Sequence, residues 1–263
     1  MPKLKGVVPF RAGGYAPRHI GWASPVTLIG LLVFWQILVW LGWASTAYAS
    51  SPVLIGRALA ALVASGELWG HLAASLQRLA IGWVVGTVAG LVVGFALGLF
   101  TLARSPGMAV VSALFPIPKI ALVPLFIIWF GIGESSKIIT LAFGVFFPTV
   151  INTVAGVDGV PRGLIRMAQS FNLKHWSIVT KIVLPGALPA ILSGFRITTS
   201  TAIILLVAAE MIGADKGIGA FVLQAGNLMQ TDQLLAGVVI LSLFGLAVGR
   251  LINWLESRLL HWR

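Results

Sequence analysis

The sequence predicts an all-α, polytopic membrane protein with about six transmembrane helices. Three observations carry that expectation. Apolar residues make up 58% of the 263-residue chain and charged residues only 10%, with a mean hydropathy of +0.99. A soluble domain of this size must keep a polar perimeter that such a composition cannot supply. Apolar runs close to the 20 residues needed to cross about 30 Å of hydrocarbon recur along the chain. Lys and Arg gather in alternate connections between those runs, the bias that orients a chain in the bilayer.

The expected spans are 26–43, 79–102, 107–130, 138–157, 188–212 and 234–251. The first follows a basic leader of Lys3, Lys5, Arg11 and Arg18. Ala47-Tyr48-Ala49 resembles a signal-peptidase site, but the run before it is longer than a usual signal core, so 26–43 is read as an uncleaved span. Residues 53–62 are apolar with helical spacing and are expected to lie along the outer leaflet as an interfacial helix. Along the second run Gly82, Gly86, Gly90, Gly94 and Gly98 recur every fourth residue, a ridge that lets a neighbouring helix approach closely. Pro116, Pro118 and Pro124 interrupt the third run. Trp22, Trp35, Trp40, Trp43, Trp69, Trp83, Trp254 and Trp262 fall near span ends and are read as an interfacial belt.

With the N-terminus inside, twelve of the Lys and Arg residues fall on the cytoplasmic side and four (Arg57, Arg78, Lys137 and Lys216) on the outer side. Both termini are then cytoplasmic. The domain reading is a cytoplasmic tail over 1–25, one transmembrane domain over 26–257 with a hairpin at 158–186, and a short tail over 258–263. The net charge of +11 is read as loop orientation, with no nucleic-acid partner; the bilayer is the expected environment. The chain has no Cys, which excludes disulfides, thiolate metal sites and Cys nucleophiles.

The polar stretch 160–189, VPRGLIRMAQSFNLKHWSIVTKIVLPGALP, interrupts this apolar sequence and is the leading candidate site. Pro161 suits a first helical position. Leu164, Met167, Ala168 and Phe171 follow at helical spacing as one apolar stripe, with Arg162, Arg166 and Gln169 off it. Asn172 can adopt the left-handed conformation that ends a helix. Trp176, Ile178, Val179 and Ile182 build a second short helix, which Pro185 and Pro189 are expected to terminate. Such a hairpin is either a membrane-surface helix touching anionic headgroups or a protein-docking element.

This stretch resembles the cytoplasmic loop of inner-membrane permeases of ABC importers, whose motif reads Glu-Ala-Ala, a Gly, and a closing Leu-Pro. Aligned on Leu184-Pro185, the family Glu falls on Arg166, the two Ala on Met167 and Ala168, and the Gly on Asn172. Four further strings are similar to the branch that carries sulfonates, taurine, nitrate and related small anions. They are PKIALVPLFIIWFGIGESSKI (118–138), FFPTVINTVAGV (146–157), VLPGALPAILSGFRI (183–197) and AAEMIGADKGIGAFV (208–222). The resemblance implies a MetI-like ABC importer permease in a cell inner membrane. It implies partners too: a second permease copy, two cytoplasmic ATPase subunits and an external solute-binding protein. ATP and Mg would then be bound by the partner ATPase, with no cofactor on this chain. Residues Arg162, Arg166, Met167, Ala168, Gln169, Ser170, Phe171, Asn172, Leu173 and Lys174 would form the ATPase-coupling element.

The residues themselves agree with a non-enzymatic subunit. No G-x-x-x-x-G-K-[ST] phosphate loop occurs, and no paired catalytic groups are apparent. His19, His71, His175 and His261 are placed in tails and loops without metal-ligand spacing. Charged and polar groups inside spans are the pathway candidates, because an intramembrane charge usually faces a cavity or a partner. Lys119 lies roughly 18 Å into the third span at 1.5 Å per residue, between two prolines. It either attracts an anion or serves structurally. Arg196 is read as bonding neighbouring helix ends or the hairpin, and Glu210 as lying at the outer end of its span. Asn152, Thr198, Thr199, Ser200 and Thr201 offer hydrogen bonds to a pathway or between helices. A self-contained secondary transporter or channel is the rival reading; it needs acidic coupling sites at mid-membrane, and only Glu210 approaches a span.

Overall fold

The computed structural model describes residues 22–43 and 50–259. The cleavage-like Ala47–Ala49 stretch, the basic leader and the final four residues, with His19, His261 and Trp262, lie outside them. The described chain is helical throughout: α1 (Ala23–Trp40), α2 (Pro52–Ser65), α3 (Glu67–Leu99), α4 (Thr101–Leu114), α5 (Val123–Phe130), α6 (Glu134–Asp158), α7 (Arg162–Ser170), α8 (His175–Ile178), α9 (Leu184–Gly213), α10 (Ile218–Asn227) and α11 (Thr231–Leu259).

A slab of α3, α6 and α9 forms the centre. The glycine ridge of α3 builds its first interface. A methyl added at Gly82 would lie 2.6 Å from Leu141 Cβ, at Gly90 2.6 Å from Thr149 Cβ, at Gly94 2.5 Å from Thr153 Cβ and at Gly98 3.0 Å from Val157 Cβ. Both partners advance by the same step, so α3 and α6 run parallel, backbone against side-chain root. On its other side α6 meets α9 in the opposite direction: Gly156 lies against Ala187 and Ala190, and Gly194 against Asn152. Without an aqueous driving force between helices, this close van der Waals approach is what holds the slab. The hydroxyls of Thr140, Thr149 and Thr153 in α6 donate to carbonyls one turn back, so none is left unpaired in the interface.

Around the slab sit α10 and α11 on α9, α4 on α3, and α5 on α6. α2 does not lie apart on a leaflet. It buries Ile55 and Leu62 in the central core with Leu79, Leu206 and Ile240, packing on α11 and α3. Ser51 caps it by accepting from the Leu54 amide at 3.3 Å, and Gln36 of α1 accepts from the Val53 amide.

Among the described residues four helical stretches are long and apolar enough to cross a membrane: Glu67–Leu99, Glu134–Asp158, His175–Gly213 and Thr231–Leu259. The expected first span is the shorter apolar helix Pro25–Trp40. The expected third span is a pair, Thr101–Leu114 and Lys119–Phe130, bent by 86°. Pro116 and Pro118 lack the amide hydrogens a continuing helix needs, and Pro118 is extended at ψ 105°. Pro124 does not break the run, because it occupies the first turn of α5.

Three boundaries differ for physical reasons. α3 begins at Glu67, twelve residues before the expected run, because His71, Ser75 and Arg78 find partners inside the protein. α11 continues to Leu259, so the expected tail at 258 begins as helix. The chain also stays helical through Pro185 and Pro189 as a single stretch from His175 to Gly213. A π turn over Val179–Val183 accommodates Pro185: its wider hydrogen bonds shift the carbonyl that the ring would otherwise strike, whereas Pro189 lies inside α9 itself.

Candidate functional site

The hairpin sits at the end of the slab where α3 and α6 finish. α7 is anchored by one small cluster, in which Val160, Ala168, Ile178 and Val183 are buried with Leu99, Val157 and Ile165 against them. The expected single stripe is therefore split. Ala168, 2% exposed, turns inward, while Leu164, Met167 and Phe171 stay open, Phe171 at 74%. The inward direction lies between Ala168 and Ile165, so the apolar arc of α7 extends past what the bundle covers. Leu173 and Trp176 add to the same open surface. Arg162, Arg166, Gln169, Ser170 and Lys174 are exposed beside it.

Asn172 adopts φ 55°. The Leu173 amide donates to Ala168 O at 3.1 Å and the Asn172 amide to Gln169 O at 2.9 Å, which together make a Schellman cap. The turn thus has the conformation expected of Asn172. At the hairpin root Arg104 of α4 grips Asp158, the last residue of α6, by a fork of two bonds at 2.7 and 2.5 Å. A recess of about 530 Å³ separates α7 from the bundle, with Arg104, Asp158, Arg162 and His175 on its walls.

The remaining candidates do not form one constellation. Lys119 lies at the bend between α4 and α5, in a 3₁₀ turn. Its ammonium donates to Phe115 O and lies 4.6 Å from the Phe115 ring centre and 5.8 Å from that of Phe147. Phe147 continues a chain of edge-on rings through Phe143 to Phe126 and Trp129. Asn152 is spent between helices: its amide donates to Pro148 O at 2.8 Å and its Cβ stands against Gly194. Thr199 is buried and donates to Phe195 O at 2.7 Å. Thr198 accepts from Trp83 Nε1 at 3.2 Å, so Trp83 is an interhelical residue rather than part of a belt. Arg196 does not reach the hairpin; it bonds Glu256, in the last turn of α11, at 2.8 Å.

Glu210 departs furthest from its expected surroundings. Its side chain is fully buried. It accepts from Arg78 Nη1 at 2.7 Å, from Ser75 Oγ at 2.7 Å and from the Gly219 amide at 2.9 Å. Arg78 also forks onto Glu134 at 2.6 and 2.7 Å and donates to Lys216 O at 2.6 Å. His71 Nδ1 closes the turn against Gly217, 3.0 Å from its carbonyl oxygen, so His71 belongs to a helix interior rather than a loop. Gly217 holds φ 141° beside Glu210 and Arg78, where a side chain would have neither space nor an accessible backbone conformation. One guanidinium therefore joins α3, α6, α9 and the start of α10 at the end of the slab opposite the hairpin.

Sequence reasoning missed Arg78, Ser75 and Glu134 as members of this cluster. The signal was present in Glu134 and Glu210, two acids at the ends of apolar runs in a chain with only seven. A buried carboxylate needs a cation, and Arg78 borders a run at the same end. Among the described residues no group of three or more His, Asp or Glu side chains is placed to hold a metal ion.

Residues 86–261 match the model of the family described as binding-protein-dependent transport system inner membrane component. The chain is 35% identical over 250 residues to a putative aliphatic sulfonates transport permease of Bacillus subtilis, covering 94% of this chain and 90% of that one. It is 34% identical over 259 residues to the taurine transport system permease of Escherichia coli, covering 93% and 94%. Among solved structures it is similar to an inward-facing methionine ABC transporter chain, at TM-score 0.61 and 23% identity over 73% of this chain and 95% of that one. An amino acid ABC transporter chain is similar at TM-score 0.56 and 18% identity, over 72% and 92%. These two likenesses establish the fold.

Proposed function

Because this chain belongs to the family of binding-protein-dependent transport system inner membrane components, and is thus a permease subunit of an ABC transporter, we propose that it carries a small sulfonate-type anion into the cytoplasm. The solute class rests on the transport roles for which the relatives are named, aliphatic sulfonates and taurine. Taurine itself is a sulfonate. The pathway is completed by a second copy of this chain, with both termini and the hairpin on the cytoplasmic side of an inner membrane. Two ATPase subunits, with their ATP and Mg, dock on the hairpin, and an external binding protein delivers the solute.

The observation that supports this reading is the open apolar arc of α7. Phe171, Met167 and Leu164 are exposed on a helix whose neighbour Ala168 is buried, and the Asn172 cap fixes the turn. An exposed apolar patch rimmed by basic residues on a short, rigid hairpin is suited to receive another protein. The chain carries no phosphate loop of its own, so work must be delivered mechanically through such a surface. A state change of the pore follows only if the partners bind its two states with different affinity.

The test is the paired substitution Met167→Asp and Phe171→Asp in the assembled transporter in proteoliposomes. Uptake is expected to fall at least tenfold while ATP hydrolysis persists and the subunit remains inserted. Uptake and hydrolysis both at parental rates would remove α7 as the coupling element. Ala168→Asp is unsuited, because a carboxylate in the buried anchor would disturb the hairpin itself. The rival secondary-transport reading has lost its candidate site, since the carboxylate of Glu210 is committed to Arg78, Ser75 and Gly219.

A further inference from the structure

The end of the slab opposite the hairpin holds a recess of about 660 Å³, lined among others by Gln77, Arg78, Glu134, Lys137, Asp215 and Lys216. Two of its cations are buried: Arg78 is 4% exposed and Lys137 5%. The Lys137 ammonium donates to Gly133 O at 3.0 Å, and its nearest carboxylate oxygen, on Glu134, is 3.8 Å away. An ammonium carries three N–H donors, so Lys137, which lines the recess, has donor capacity beyond its bond to Gly133 O. The first turn of the 25-residue α6 opens here as well, and no side chain caps it, which adds the partial positive charge of a helix N-terminus.

Glu134 is the one solvent-facing member of the cluster, although Arg78 grips both of its oxygens. Its side chain is 60% exposed, whereas Glu210, on the other side of the same guanidinium, is fully enclosed. Arg78, Lys137 and Lys216 face Glu134, Glu210 and Asp215, so the cluster is neutral as it stands. With Glu134 turned out to solvent, the same groups carry a surplus of one positive charge. Arg78 keeps Glu210 and the Lys216 carbonyl in either arrangement.

The geometry points to this recess as an oxyanion site for the transported solute, in which the Glu134 carboxylate is a placeholder that an arriving sulfonate displaces. The incoming group takes the fork of Arg78 and the spare donors of Lys137, all N–H groups that suit an acceptor-only ligand. Exchange of one monoanion for another leaves the charge balance intact, so the site never holds an uncompensated buried cation. This deepens the solute class proposed above and rests on that reading, while being independent of how α7 works.

The test uses the assembled transporter in nanodiscs, without binding protein or nucleotide, and 3,3,3-trifluoropropanesulfonate as probe, followed by fluorine NMR titration. Glu134→Gln removes the competing charge and is expected to tighten probe binding about tenfold, the gain of roughly one charge-assisted contact. Glu134→Ala is expected to act in the same direction, which guards against a specific effect of the amide. Lys137→Gln is expected to weaken binding about tenfold. Opposite signs from two adjacent side chains are what a placeholder requires and what a purely structural ion pair does not give. Equal affinity in the parent, Glu134→Gln and Lys137→Gln, or no binding of the free sulfonate by any of them, overturns the site. Phe171→Asp leaves the titration unchanged, so loss of the coupling reading and loss of this one are separable.

Discussion

Substituting Gly94 by Ala tests whether the interface of α3 with α6 holds the bundle. The added methyl would stand 2.5 Å from Thr153 Cβ, 2.9 Å from its Cγ2 and 3.1 Å from its Oγ1. Non-bonded carbons settle at about 3.5–4.0 Å, so the two backbones must part by roughly 1 Å at the middle of the ridge. That gap also loosens Gly90 against Thr149 and Gly98 against Val157, where an added methyl would lie at 2.6 and 3.0 Å. Overpacking of this kind costs about 1–3 kcal/mol, against which Ala returns about 1 kcal/mol over Gly in helix propensity, a gain that the control variant Gly70→Ala shares. The assay is thermal unfolding of the purified subunit in mild detergent, with Gly70→Ala in the same helix as control. Nothing lies within 4 Å of a methyl at Gly70, so that variant is expected at or slightly above the parental midpoint. At roughly 2–4 °C per kcal/mol, Gly94→Ala should unfold several degrees lower. Equal midpoints for the two alanine variants would refute the argument that close backbone approach, rather than general helix content, carries the slab.

Two other outcomes are expected. Glu210→Ala strips Arg78 of its buried partner and leaves the Ser75 hydroxyl proton and the Gly219 amide without an acceptor; the loss is about 3–5 kcal/mol, read as a fall in folded yield and unfolding midpoint, whereas Arg104→Ala, at the surface, should leave the midpoint close to parental. Lys119→Met is expected to lower anion uptake several-fold with assembly intact, measured as uptake per assembled complex; a parallel loss of assembly would return Lys119 to a structural role.

How far the sequence could be read follows from the range of the interactions involved. The glycine ridge was legible because its period belongs to one helix and needs no knowledge of the partner. Asn172 was legible for the same reason, as its left-handed turn is a local conformational choice. Ala168 was misassigned because a stripe at helical spacing marks an apolar arc but not which part of it meets the bundle. Arg78 was hidden because its partners lie 56 and 132 residues away. Polar residues ahead of an apolar run look like loop until such partners are known, so α3 was expected to start too late. The partner of Arg196 was hidden for the same reason, since Glu256 belongs to a helical extension beyond the expected end of the last span. Pro185 misled in the opposite direction, because propensity for a regular α-helix says nothing of a wider turn that accommodates it.

That wider turn has a mechanical consequence. Val179–Val183 sits between the arm that carries Trp176 and a shaft that ends, near Gly213, in the enclosed carboxylate of Glu210. Rewinding it to ordinary α geometry would advance the shaft by one residue, about 1.5 Å and 100° of rotation. The clamp at Glu210 forbids that rotation at the far end. The close contacts of Ala187 with Gly156 and of Gly194 with Asn152 oppose it along the shaft as well, so the arm and the enclosed carboxylate are the two ends of one helix that shifts only as a unit.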